Sequence, residues 1–188
     1  MTLAFIRHGQ TDWNLNKQLQ GSSDIPLNDT GRAQARDAVA TLEGVDWEVI
    51  VSSPLSRARE TAAIIAAGLD IELGPAYDEL IERDYGQGEG ATAEIIAERW
   101  PDHLYPGLES LDSVVGRGVA ALERIDAEFG DRNTLIVCHG TIIRYTLAHL
   151  AGRDFDQIRN GSVATFERAG EAWRVLTVND EPLTEFVA

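Results

Sequence analysis

The chain has 188 residues, 44% hydrophobic and 25% charged, enough to bury one sizeable core and without a bias toward disorder. Its formal charge of −15, from 31 acidic and 16 basic residues, opposes nucleic acid or an anionic membrane as partner. It leaves room for a small anion held by a few buried arginines.

Cys138 is the one cysteine, so no intrachain disulfide forms and a reducing compartment is expected. Leu3 to Ile6 is too short for a signal-peptide core and is ended by Arg7, and no apolar run approaches a membrane span. A cytoplasmic location follows as the expectation.

Leu3-Ala4-Phe5-Ile6 is a continuous apolar run that reads as a strand buried on both faces, with Arg7-His8-Gly9-Gln10 at its carboxyl end. Asn28-Asp29-Thr30 offers N-cap chemistry for a helix through about Leu42, and Trp47 to Val51 predicts a second strand. Ser52-Ser53-Pro54 then starts a helix through Ala67, with the proline in its first turn, and Ile71 to Leu73 predicts a short strand. From Gly74 to Pro106, scattered glycines and prolines surround one short helix, Ala91 to Trp100, and residues from about 74 to 110 read as a lid or specificity segment. Apolar residues at Leu111, Val114, Val115, Leu122, Ile125 and Phe129 give a helical period. A strand over Leu135–Cys138, a helix from Thr141 to Leu150 and a terminal hairpin follow, its arms Ser162 to Phe166 and Trp173 to Val178 turning near Ala169-Gly170.

This alternation predicts an α/β fold, a three-layer α/β/α sandwich with a mostly parallel central sheet and an antiparallel edge. No repeat or linker interrupts residues 1–188, which read as a single domain. Both apolar strands end in a His-Gly pair, His8-Gly9 and His139-Gly140, at the sheet edge where ligands bind in such folds. An arginine beside an imidazole there suits a phosphate, a bidentate cation next to a nucleophile or proton shuttle.

Two competing signals are weaker. Cys138 and Arg144 have the Cys-x5-Arg spacing of cysteine phosphatases, but only Gly140 falls between them, too few glycines for a phosphate-cradling loop. No histidine pair has helix-ligand spacing with a carboxylate, and arginines near His8 repel a cation, so no metal is expected. Asn160-Gly161-Ser162 matches a glycosylation acceptor, irrelevant in a cytoplasmic protein.

The chain resembles the histidine phosphatase superfamily, also called the phosphoglycerate mutase-like family, over essentially its whole length. The matching pieces are Arg7-His8-Gly9-Gln10-Thr11 with Asn14, Gly21 with Asp24 to Leu27, and Ser53 through Thr61. Glu82-Arg83-Asp84-Tyr85-Gly86 with Glu89-Gly90, and His139-Gly140, complete the set in the family's order. The resemblance implies an acid phosphatase-type phosphomonoesterase, independent of metal and without cofactor, in the small phosphatase branch. It makes His8 the nucleophile, kept neutral because Arg7 and Arg57 disfavour a third positive charge. Arg7, Arg57, His139 and Asn14 would hold the phosphoryl oxygens, and Glu82 would protonate the leaving oxygen and then activate water. Gln20, Gly21 and Ser22 are candidates for contact with the substrate body.

Within the family, the mutases carry a longer insertion with basic residues that grip a bisphosphate. Here Gly90 leads directly into Ala91-Thr92-Ala93-Glu94, and Arg99 and His103 are the only basic candidates through Glu109. Hydrolysis of a small phosphomonoester is therefore expected. A cofactor-dependent phosphoglycerate mutase and a non-catalytic phosphate-binding module are the alternatives. The substrate's identity and the oligomeric state, a homodimer included, stay open.

Overall fold

The register between two strands places the ends of both apolar runs side by side. The computed structural model describes residues 1–170 and 172–183. Its elements are β1 (Thr2–Arg7), α1 (Asp12–Leu15), α2 (Asp29–Thr41), β2 (Val49–Ser52), α3 (Ser56–Leu69) and β3 (Glu72–Ala76). Then come α4 (Ala93–Arg99), α5 (Leu111–Phe129), β4 (Thr134–Cys138), α6 (Gly140–Ala151), β5 (Val163–Ala169), β6 (Ala172–Val175), β7 (Thr177–Val178) and β8 (Glu181–Pro182). The main sheet has the order β3-β2-β4-β1-β5-β6, parallel from β3 to β1 and antiparallel at β5 and β6. No described helix is long and apolar enough to cross a membrane.

Alternation along the central strands divides the core into two faces. Leu3, Phe5, Val49, Val51, Ile136 and Cys138 pack with Leu122 and Ile125 of α5 and Ile142 and Leu147 of α6. Ala4, Ile6, Ile50, Leu135 and Val137 pack with Ala38 of α2 and Ala58, Ala62 and Ile65 of α3. A strand buried on both faces must be apolar at every position, which is why β1 and β4 read as unbroken runs rather than alternating ones. The result is the expected three-layer sandwich.

Most expected boundaries move by one to three residues, and three of the differences have a clear tertiary reason. Helix α3 begins at Ser56, leaving Pro54 outside it; the cap is Asp24, whose Oδ1 accepts from Ser56 N and Ser56 Oγ at 2.8 Å each. Ser53 instead extends the sheet, its N–H donating to Val137 O at 2.9 Å. The short helix starts at Ala93 because Ala91 is bonded to Gly88 and Leu19. The second hairpin arm divides: β6 pairs with β5, whereas β7 pairs with β8 while staying bonded to Thr165 of β5 through Leu176 N and Thr177 Oγ1.

After β1 the chain crosses the start of α2 at van der Waals distance. Asn28 caps α2 by accepting from Gly31 N at 2.9 Å. A Cβ on Gly31 would lie 2.1 Å from Gln10 O, and one on Gly9 would lie 2.2 Å from Gly31 O. Only glycine fits at either position. Ordinarily Gly→Ala within a helix stabilises by about 1 kcal/mol. Gly31→Ala should do the opposite here and lower stability by about 1–3 kcal/mol, as overpacking does. A denaturant midpoint at or above wild type would refute the contact.

Candidate active site

Arg7 pairs with Cys138 in the parallel β1–β4 ladder, so His8 and His139 leave the sheet abreast. Their ring centroids are 5.1 Å apart, and both residues are buried. His8 Nδ1 donates to Gly9 O at 2.7 Å. That bond selects the tautomer whose Nε2 keeps its lone pair. Burial, then the charges of Arg57 and Arg7, hold the His8 pKa well below its ordinary value of 6.5. Burial is the larger cause, ahead of the cationic neighbours that the sequence brings to mind.

His139 is set the other way round. Its Nδ1 accepts from Arg57 Nε at 3.2 Å, so in the neutral ring Nε2 carries the proton and donates to Ser53 Oγ at 2.8 Å. Burial and the Arg57 charge hold its pKa well below 6.5 as well. Both imidazoles are therefore neutral at pH 7.

Arg57, in the first turn of α3, has no exposed surface. Its Nη1 donates to Ser23 O and its Nη2 to Gly21 O, each at 2.7 Å. Turned to satisfy both neighbours, the Gln20 amide accepts from Arg57 Nη1 at 3.0 Å and donates to Thr11 Oγ1 at 2.7 Å. Burial brings the Arg57 pKa down to about 10, so the group stays protonated at neutral pH. The turn that supplies these carbonyls is bound in turn by Glu89. Its Oε1 accepts from Ser22 N at 2.8 Å and from Tyr85 N at 3.3 Å, and its Oε2 from Ser23 N at 2.9 Å and from Ser23 Oγ. Arg7 donates Nη1 to Ile158 O at 2.5 Å, and its buried Nε has no acceptor.

Glu82 is near enough to both guanidinium groups for its charge to act on them. Its oxygens accept from Arg83 N at 2.8 Å and, at the start of α6, from Thr141 N at 2.9 Å and Ile142 N at 3.2 Å. The preceding turn is tied to α5 by Arg117, whose Nη1 donates to Glu79 O and Ile81 O at 2.7 and 2.9 Å. Of the neighbouring acids, Asp78 and Asp84 are exposed, Glu79 pairs with Arg124 at 3.0 Å and Glu89 holds the turn at Ser22-Ser23. Glu82 alone among them lines the adjoining cavity, a space of about 560 Å³ that it shares with Arg7, Asn14, Gln20, Tyr85 and Gly140, whereas His8, Arg57 and His139 lie beside it.

The fold thus brings together Arg7, His8, Arg57, Glu82 and His139. Asn14 reaches the cavity, but its Oδ1 caps α1, accepting from Thr11 N at 3.1 Å and from Asn160 Nδ2 at 3.2 Å. Gln20 lies against Arg57, whereas Gly21 and Ser22 stand behind that guanidinium and do not line the cavity. Sequence reasoning missed the roles of Ser53, Glu89 and Asn160. Asn160 Nδ2 donates to His8 O at 3.0 Å, and Gly161 N to Arg7 O at 3.0 Å, so the sequon-like Asn160-Gly161-Ser162 braces the strand end. A helix-start motif at Thr11-x-x-Asn14 was the one local signal for the capping geometry. Cys138 is buried, and burial pushes its thiol pKa well above the ordinary value.

Comparison with known proteins points to the same chemistry. The profile of the histidine phosphatase superfamily (branch 1) matches residues 3–181. A Bacillus subtilis (strain 168) protein named uncharacterized phosphatase PhoE is 37% identical over 181 residues, covering 94% of this chain and 93% of its own length. Bacillus stearothermophilus YhfR superposes with a TM-score of 0.87 at 27% identity, over 96% of each chain. A mycobacterial glucosyl-3-phosphoglycerate phosphatase solved with VO3 gives 0.86 at 26% identity, over 95% of this chain and 98% of its own.

Two measurements check this geometry. In the unfolded chain His8 and His139 take up protons near pH 6.5, whereas in the folded protein both pKa values lie well below that. The unfolded state then binds more protons, so stability should fall as pH drops below about 6.5, by about 1.4 kcal/mol per pH unit for each histidine. Between pH 6.5 and 5.5, His8→Gln or His139→Gln should each flatten that slope; an unchanged slope in both would contradict neutral burial. Separately, Glu89→Gln removes charge-assisted bonds from the turn that holds Arg57, bonds worth about 1.5–3 kcal/mol. Calorimetric affinity for orthovanadate should fall about tenfold or more, and wild-type affinity would separate Glu89 from the placement of Arg57.

Proposed function

Because the chain belongs to the histidine phosphatase superfamily, branch 1, we propose that its phosphatase activity is an acid phosphatase-type, metal-independent hydrolysis of small phosphomonoesters through a phosphohistidine at His8. The observation that carries this reading is a neutral imidazole, with Nδ1 engaged by Gly9 O, buried beside two guanidinium groups. His8 Nε2 attacks phosphorus, forming an N–P bond as the ester P–O bond breaks. The Nδ1–H bond to Gly9 O steadies the ring as it gains positive character. Arg7 and Arg57 receive the charge on the equatorial oxygens, and Arg7 Nε, buried without an acceptor, finds one there. Neutral His139 joins them when its Nε2–H passes from Ser53 Oγ to a phosphoryl oxygen. The two guanidinium groups supply the stabilisation that a divalent ion provides elsewhere.

In this reading Glu82 carries out the proton transfers. It delivers a proton to the leaving oxygen, then takes one from the water that attacks the phosphoryl group, releasing inorganic phosphate and neutral His8. The N–H groups of Thr141 and Ile142 fix its carboxyl group at the wall of the cavity. The segment from about 74 to 110 supplies Glu82 and Tyr85 along with cavity wall at Ala91 and Ile96, and serves as the specificity element. A low His8 pKa keeps the nucleophile unprotonated in mildly acidic solution. The lone buried cysteine suits work in the cytoplasm.

Phosphate release from p-nitrophenyl phosphate should survive EDTA, disappear with His8→Ala and persist with Cys138→Ser. Rapid quenching should trap a phosphoryl group on His8. In single-turnover phosphorylation, Glu82→Gln should slow an alkyl phosphate by about 10²–10⁴-fold and p-nitrophenyl phosphate far less, since a nitrophenolate leaves without a proton. Activity restored only by Zn²⁺ or Mg²⁺ after chelation would sink the mechanism, and equal slowing of both esters would remove Glu82 as the acid.

A further inference from the structure

Between α6 and β5, residues 152–162 form neither helix nor strand, yet three of their groups bond the end of β1. Ile158 O accepts from Arg7 Nη1 at 2.5 Å, Asn160 Nδ2 donates to His8 O at 3.0 Å, and Gly161 N donates to Arg7 O at 3.0 Å. Among the described residues, the Ile158 carbonyl is the only hydrogen-bond acceptor of the Arg7 guanidinium, whose buried Nε has none. The direction of that guanidinium is therefore set by where Ile158 sits.

A loop with no ladder of its own has to be fixed from outside. Phe155 and Ile158 anchor it in the core, and Arg144 Nε donates to Phe155 O at 2.5 Å. From Gln157 onward the polar anchor is a side chain near the far end of the chain, Asn179. Its Oδ1 accepts from Arg159 N at 2.8 Å and from Ser162 Oγ at 3.0 Å, and its Nδ2 donates to Gln157 O at 3.0 Å. Its main-chain carbonyl accepts from Arg159 Nη2. The loop is thus bonded on two sides: Gln157, Arg159 and Ser162 to Asn179, and Ile158, Asn160 and Gly161 to the end of β1.

The residue type suits the place. Asn179 and Asp180 are the central pair of the turn joining β7 to β8, with φ of +55° and +69°. Two-residue hairpin turns call for left-handed backbone, which asparagine adopts more readily than most residues with a side chain. The turn is itself pinned where β5 begins: Asp180 N donates to Val163 O at 2.9 Å, and Asp180 Oδ1 accepts from Val163 N at 2.8 Å. Val163 pairs with Ile6, the residue before Arg7. Asn179 does not line the cavity beside Glu82.

We propose, on the basis of the phosphomonoesterase reading above, that Asn179 is a positioning residue for the reaction. It touches no reacting atom; through Gln157 and Arg159 it holds the Ile158 carbonyl, and so the Arg7 guanidinium, in the direction the phosphoryl group requires.

Asn179→Gly keeps the left-handed backbone and removes the amide, whereas Asn179→Asp keeps the Oδ1 acceptor and loses only the donor to Gln157 O. Each is assayed well below its melting temperature, for turnover of p-nitrophenyl phosphate and for calorimetric affinity toward orthovanadate. Asn179→Gly should lower both kcat and vanadate affinity by about ten- to a hundredfold, the cost of a displacement of about 1 Å that originates away from the chemistry. Asn179→Asp should lose less, about threefold, the worth of one neutral hydrogen bond. In an Arg7→Gln background the Asn179→Gly change should cost less than about threefold further, because the group it positions is gone. Should Asn179→Gly fail to fold, Asn179→Asp carries the same test: its smaller loss should likewise vanish beside Arg7→Gln. Turnover or vanadate affinity at the wild-type level in the folded variant, or losses that multiply fully with those of Arg7→Gln, would overturn the inference while leaving the phosphatase standing. No phosphate from any ester with folded wild-type protein would overturn the phosphatase reading and this inference with it.

Discussion

Arg57 is a full positive charge with no exposed surface, and the site is organised around keeping it there. An unpaired buried charge costs several kcal/mol, so such a group persists only where its donors are met. Here they are met by two turn carbonyls, a side-chain amide and an imidazole nitrogen. Each acceptor has its own support. Glu89 ties down the turn, Thr11 the Gln20 amide, and Ser53 the far side of His139. Arg57 is thereby rigid, and its charge acts on the two neighbouring imidazoles without screening by water.

That arrangement divides the chemistry cleanly. The histidines cannot serve as resting cations, because burial and the guanidinium groups both oppose their protonation. Nδ1 of His8 is occupied by a carbonyl, so reactivity concentrates at Nε2. The carboxyl group proposed for proton transfer comes from a different part of the chain and is held by the backbone N–H groups at the start of α6. The proposed nucleophile and acid are thus fixed by separate elements, β1 and the turn before Glu82, that meet only in the folded chain.

The charge distribution has a further consequence. A protein with net charge −15 repels anions at long range, and its cavity nonetheless gathers cations around one carboxylate. Small phosphorylated molecules feel the local field once inside, while large polyanions meet the surface first. Arg144, which the Cys138 spacing had drawn into a false cysteine-phosphatase signature, belongs to this cationic lining.

Much of this was legible in the residues. The unbroken apolar runs determined which strands are buried on both faces, since only a doubly covered strand excludes polar side chains at every position. The strand-end His-Gly pairs, and the family motifs with them, determined which five side chains to watch. The helix cap at Asn28, written locally, was readable because cap and helix are neighbours in the chain. The start of α3 was not, because its cap, Asp24, stands 32 residues away. The same physics hid Glu89 as the clamp on the turn that holds Arg57 and Asn160 as the brace on His8. Sequence determines what each side chain is able to donate, accept or bury; which long-range partner satisfies it is decided only when the sheet register and the crossing of α2 bring those groups to hydrogen-bond distance.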